Sequence, residues 1–244
     1  MDPLTTAAAS GLRARMETLD LLANNIANAS TAGYKRDGEF YTTYQDAEAA
    51  VMNADNVLLP LVEKHWTDLT QGVLQNTGNA QDLALSGPGF FSVNGPSGTL
   101  YTRNGNFRVA PTGVVTTQEG YPVRLVGGTA LTIQPGVPLN VATDGNLTQG
   151  GTLLGRLDVV GFPEGALDKQ GATLFRHSDP TKAAIPVPET EVHQGKLEGA
   201  NVSAPESAAR LVNLMRQFES LQRAITMGGE MNRKAIDELA RVGS

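Results

Sequence analysis

No proline lies between Pro3 and Pro60 or after Pro205, and most of the chain's 27 glycines fall between Pro60 and Pro205. Proline removes a helical hydrogen bond and glycine weakens helix interiors, so this distribution confines long helices to the two ends and assigns the middle to turns and strands. With 244 residues, 40% of them hydrophobic, the chain has enough apolar material for a packed core. These bounds predict an α+β chain, mainly β. Residues 1–36 read as an N-terminal helical arm, 37–64 as a linker, 65–200 as a central all-β domain and 201–244 as a C-terminal helical arm.

Both arms carry a seven-residue repeat. In the first, Leu12, Leu19 and Ile26 are interleaved with Met16, Ala23 and Ser30, the spacing of a coiled-coil seam. The helix is expected from about Leu4 to Ala29 and to stop near Gly33, where glycine tolerates a left-handed backbone. In the second arm, Leu211, Phe218, Ile225, Asn232 and Leu239 are interleaved with Ala208, Met215, Gln222, Gly229 and Ile236. Ser203 with Glu206 has capping-box spacing and sets the start near Ala204, while Gly228-Gly229 is expected to bend or fray the helix. The two long helices are expected to form a coiled-coil-like pair. Its candidate packing residues are Leu12, Met16, Leu19, Ile26, Leu211, Met215, Phe218 and Ile225, buried either in the chain's own core or against neighbouring subunits. A two-helix hairpin leaves much of its apolar surface uncovered, which favours assembly.

The middle reads as short strands separated by Asn-Gly, Asp-Gly, Pro-x-Gly and Gly-Gly turns, the pattern of a meander or small open barrel. "LALSGPGFFSV", "LYTRNGNFRVA", "GVVTTQEGYPVRLV", "ALTIQPG", "LNVATDGNLTQ" and "GRLDVVGF" are the β-prone pieces. No nucleophile elbow, dinucleotide loop, calcium loop or metal-ligand spacing accompanies them, so the expectation is a chain that is not an enzyme and binds no metal, cofactor or small-molecule substrate. "SGPGFF" lacks the third glycine and the following helix of a phosphate loop, and His65, His177 and His193 are far apart in sequence. The chain contains no cysteine, which excludes disulfides and thiolate metal sites.

A net charge of −6 without runs of like charge argues against nucleic acid and against a basic membrane-binding face. No apolar run reaches the roughly 18 residues needed to cross a bilayer. Arg13 and Arg15 interrupt the first apolar segment, which therefore is not read as a cleaved signal peptide.

"NNIAN" is the remaining oddity, because asparagine is a poor interior helix residue. Asn24, Asn25 and Asn28 are expected to use their amides between subunits, fixing register by penalising slipped alignments. With Thr31, Gly33, Tyr34, Lys35 and Arg36, this segment resembles the N-terminal signature of the bacterial flagellar axial proteins of the rod and hook. "DLALSGPGFFSV" with "YTRNGNFRVAPTGVVTTQEGYPV" resembles that family's central block, and "LEGANVSAPESAARLVNLMRQFESLQRAI" its C-terminal block. The tail and the short Phe40–Lys64 segment are closest to the proximal-rod branch, with the distal-rod branch as runner-up.

The resemblance implies a self-assembling structural subunit of the basal-body rod. It is expected to partner with copies of itself and other rod proteins, to leave the cell through the flagellar type III export apparatus and to transmit torque in the periplasm. A reading from another class, a secreted β-rich binding module with helical oligomerisation arms, is disfavoured by the single tryptophan, Trp66.

Overall fold

The computed structural model describes residues 3–45, 58–179, 181–182 and 184–242, with side-chain surroundings for 11–38, 66–179, 181–182, 184–231 and 233–234. Two compact units emerge: one of Met1–Ala27, Asp37–Trp66 and Ser203–Ser244, the other of Asn28–Arg36 and Thr67–Val202.

The first unit holds two helices, Pro3–Ala27 and Ala204–Val242, which pack against each other. They have 25 and 39 residues, so they run about 37 Å and about 58 Å. The expected lengths of the arms are close to these, but the N-terminal helix is short and the contact does not establish a coiled-coil-like pair of long helices. The N-terminal helix ends at Ala27, before the expected Ala29. The C-terminal helix begins where Ser203 accepts the first helical hydrogen bond from the Ser207 amide at 2.9 Å, and it runs unbroken through Gly228-Gly229.

Residues 37–64, read above as a linker, instead contribute to a pair of strands, Asp37–Gln45 and Leu58–Thr67. Trp66 belongs to the second of them, and its indole covers Gly38 so closely that a Cβ there would lie 2.6 Å from Nε1. The middle of Phe40–Lys64 lies outside the described residues.

The second unit is built on a six-stranded antiparallel sheet. Its order is Leu167–Gln170, Leu174–His177, Gly98–Thr102, Phe90–Gly95, Val159–Gly161, Ile185–Pro186. Alternation explains the faces: Phe91, Val93, Leu100 and Leu174 point into the main core with Leu83, Leu85, Phe107, Val123, Leu131, Leu147 and Leu157. Phe90 and Phe175, on strands of the same sheet, stack edge-on at 5.5 Å, and Tyr101 meets Phe162, just past Val159–Gly161, at 4.5 Å.

A three-stranded sheet (Leu139–Val141, Asn146–Gln149, Thr152–Arg156) turns at Asp144-Gly145, as the sequence signals. Gln194 of Glu191–Gln194, which pairs with Leu83–Ser86, donates to the Leu139 carbonyl at 2.8 Å. Residues 196–198 pair with residues 74–76.

The order is thus not one meander. "GVVTTQEGYPVRLV" yields only the short strand Val115–Thr116 and single bridges, and "ALTIQPG" only bridges.

Candidate functional site

The second half of the asparagine-rich signature, Asn28–Arg36, and the C-terminal "LEGANV" block come together inside the β unit. After Ala27 the chain turns: the Thr31 amide bonds the Asn28 carbonyl at 2.9 Å, and the Thr31 hydroxyl donates to the Asn28 amide oxygen at 3.2 Å. Gly33 follows with φ of 68°. It is not the end of the helix, as the sequence suggested, but a point of close approach: a Cβ there would sit 2.2 Å from the backbone nitrogen of Asn104. Its amide donates to the Glu198 carbonyl at 2.7 Å, which brings the two motifs side by side.

At the centre lies a buried charge triad. Lys35 and Glu198 are both 0% exposed, and Arg103 is 3% exposed. Lys35 Nζ donates to Glu198 Oε1 and to the Thr70 carbonyl, both at 2.5 Å. Arg103 Nη1 donates to Glu198 Oε2 at 3.1 Å, and Nη2 to the Gly87 carbonyl at 2.8 Å. The Gly72 amide adds a third donor to the Glu198 carboxylate at 2.9 Å. Burial pushes the Lys35 ammonium and the Arg103 guanidinium below their usual ranges, and in both cases Glu198 opposes the shift. A carboxylate with two cations and a backbone amide around it can be tolerated without water, because its charge and most of its lone pairs are met.

Around the triad, Asn201 takes the Arg36 amide on its oxygen at 2.8 Å and donates to the Asp68 carbonyl at 2.8 Å. Arg36 closes on Asp68 through Nε–Oδ2 at 2.8 Å. Tyr34 is fully buried, with the Lys169 ammonium 4.0 Å above its ring. Among the described residues, no group of three or more His, Cys, Asp and Glu side chains is placed to hold a metal ion.

The sequence-predicted residues fall into three groups. Gly33 and Tyr34 are part of this clasp. Asn25 is buried but acts within the chain: its Nδ2 donates to the Asp37 carbonyl at 2.8 Å and its Oδ1 accepts from the Asp37 amide at 3.0 Å. That corrects the expectation of a purely intersubunit role, since the amide copies a backbone pairing partner at the start of a strand. Asn28 bonds Thr31 as above, and Asn24 is exposed on the helix.

The third group is the helical stripe. On the C-terminal helix the covered line is Ser207, Leu211, Leu214, Phe218, Leu221, Ile225, Gly228. Leu211, Phe218 and Ile225 lie on it, whereas Met215 is 51% exposed and Leu214 takes its place at 5%. The side chains of Asn232, Ile236 and Leu239 lie outside the described residues. On the N-terminal helix the buried line is Ala14, Thr18, Leu22, Asn25. Leu12, Leu19 and Ile26 are half-buried, and Met16 is 56% exposed. The buried line thus joins the small Ala14 and Thr18 to the larger Leu22 and Asn25, one position or more away from the leucine stripe.

Sequence reading gave Lys35, Arg36, Arg103, Glu198, Asn201 and Asp68 no role. Opposite charges in the two terminal motifs, Lys35-Arg36 and Glu198, were the available signal.

Three family models match the chain. "Flagella basal body rod protein" covers residues 6–35, "Flagellar hook protein FlgE/F/G D1 domain" 84–150 and "Flagellar basal body rod FlgEFG protein C-terminal" 193–238. The flagellar basal-body rod protein FlgF of Caulobacter vibrioides is 34% identical over 227 residues, covering 92% of each chain. This chain belongs to the flagellar basal-body rod family. FlgF of Mesorhizobium japonicum is 28% identical over 95% of each chain, and FlgG of Agrobacterium fabrum 31% identical over 92% of this chain and 94% of its own. Each of the three family segments supplies one member of the triad: Lys35 the first, Arg103 the second, Glu198 the third. The rod-family motifs therefore meet in space at one buried carboxylate.

Proposed function

We propose that this chain is a structural subunit of the flagellar basal-body rod, that it assembles with copies of itself and with other rod proteins through its terminal helices, and that it passes torque along them. One observation carries the assembly reading. The covered stripe of the C-terminal helix continues to Gly228, while the N-terminal helix is shorter by about 20 Å and, of its described side chains, buries Ala14, Thr18, Leu22 and Asn25. The Leu12, Leu19 and Ile26 stripe and the exposed Met16 and Met215 are left for other helices. Export through the flagellar type III apparatus and a periplasmic location accompany this reading by family resemblance.

Within the family the FlgF position is favoured. Three FlgF alignments span 227, 238 and 239 residues, within the 244 of this chain, whereas alignments to FlgG of two Buchnera aphidicola strains span 262 and 266. Aligning FlgG requires gaps in this chain, as a longer protein would. The FlgG reading remains second, supported by the 31% identity to FlgG of Agrobacterium fabrum.

Phe218→Asp tests the assembly reading, because it puts a charge on a half-buried position of the stripe and leaves the β unit untouched. An unpaired charge in a helix interface costs several kcal/mol. The expected outcome is loss of the variant from isolated basal bodies and loss of swimming, with the β unit still folded by circular dichroism. Normal swimming would reject assembly through this helix.

A further inference from the structure

We propose that the Lys35–Glu198–Arg103 triad closes last in folding, so that the β unit is completed only when segments from both ends of the chain have docked. The reasoning starts from sequence distance. Glu198 joins Lys35, Gly72 and Arg103, partners 163, 126 and 95 residues away. Such contacts carry a larger loop-closure cost than hairpins such as Phe90–Gly95 with Gly98–Thr102, whose pairing is local and can form first.

Charge points the same way. A carboxylate and two cations lose their water on entering this site, and the attraction that compensates them exists only when all three are in place. Arg103 Nε is buried without a hydrogen-bond partner even in the closed site, so the guanidinium depends on Glu198 and the Gly87 carbonyl to offset its lost water. Before residues 196–201 arrive, Lys35 and Arg103 would be two like charges in one dry pocket. A chain emerging from its N-terminus therefore holds the β unit open until nearly all of it has been delivered. Once closed, the triad ties together the first, central and last segments, with Asn201 fastening residues 36 and 68 beside it.

The test is folding kinetics of the full-length chain, followed by pulsed hydrogen exchange at amides 72–102 and 174–198. Three proteins are compared: wild type, Glu198→Gln, and the triple variant Lys35→Met, Arg103→Met, Glu198→Met. If the triad closes last, Glu198→Gln leaves the refolding rate of the β unit within about twofold and speeds its unfolding about a hundredfold or more. The triple variant unfolds more slowly than Glu198→Gln, because it buries no unpaired charge, and stays faster than wild type, because the Thr70 and Gly87 carbonyls and the Gly72 amide lose their partners. Refolding that slows in step with the lost stability would place the triad in the folding nucleus and overturn the proposal. A triple variant that unfolds as fast as Glu198→Gln would also overturn it, since unpaired charge would then not be the cause.

Discussion

Asp68 illustrates how single side chains in the clasp are tuned by their neighbours. Burial pushes its carboxyl up, but hydrogen bonds from the Thr70 hydroxyl and amide and the contact with Arg36 outweigh this and hold it below the usual carboxylate range. A depressed carboxyl binds fewer protons in the folded than in the unfolded chain. Its stabilisation is complete above the ordinary value near 4 and is lost as pH falls through the lower folded value. Asp68→Asn should therefore lower Tm at pH 7 by about 2–4 °C, taking the lost bonds as about 1 kcal/mol. The difference from wild type should shrink steadily in melts taken from pH 5 to pH 3. A gap independent of pH would show that shape, not charge, matters at residue 68. Asn25 carries a similar lesson at this scale. A polar residue in an apolar repeat suggested a partner outside the chain, yet a strand starting at Asp37 supplies both a donor and an acceptor. Nothing in the local sequence marks that strand as lying within reach.

Among elements, the C-terminal helix shows what a repeat can and cannot specify. A seven-residue spacing through Leu211, Phe218 and Ile225 admits either Leu214 and Leu221 or Met215 and Gln222 as the second set. The structure selects the first, and the apolar Leu221 against the polar Gln222 was the legible hint. Leu214→Asp should accordingly destabilise the helical unit of the isolated chain by several kcal/mol, while Met215→Asp should change it by about 0.5 kcal/mol or less. Urea unfolding followed by Trp66 fluorescence reports on that unit, and equal losses in the two variants would restore Met215 to the seam.

In the β unit, hairpins announced by Asp144-Gly145 and Gly150-Gly151 were readable, whereas sheet order was not. Val159–Gly161 pairs beside Phe90–Gly95 across a wide gap in sequence. Where "ALTIQPG" looked like a strand, side chains take over the pairing. Gln149 accepts from the Gln134 amide at 2.8 Å and donates to the Gln134 and Val137 carbonyls at 2.9 and 2.8 Å. Glutamine amides have no sequence signature for such use, since their partners are fixed only by the folded loop.

For the whole molecule, the question is where the β unit ends. Turn signals and alternating strands suggested residues 65–200, but the folded unit includes Asn28–Arg36 and continues to Val202. The shorter fragment would lack Lys35, leaving the buried Glu198 with Arg103 as its only cation. It would also lack fully buried Tyr34 and the Asn201 amide that fastens Arg36 and Asp68. Breaking one side of a buried ion pair costs about 3–5 kcal/mol. For a unit of this size, each kcal/mol moves Tm by about 2–4 °C, so the lost pair alone lowers it by about 6–20 °C. A fragment of residues 28–202 should therefore melt in one cooperative calorimetric transition, and a fragment of residues 65–200 should melt well below it or without a transition. Adding a peptide of residues 28–38 to the shorter fragment should raise its Tm with peptide concentration, as binding to the folded form requires. Equal melting of the two fragments, unmoved by the peptide, would mean that the terminal motifs decorate a finished core instead of completing it.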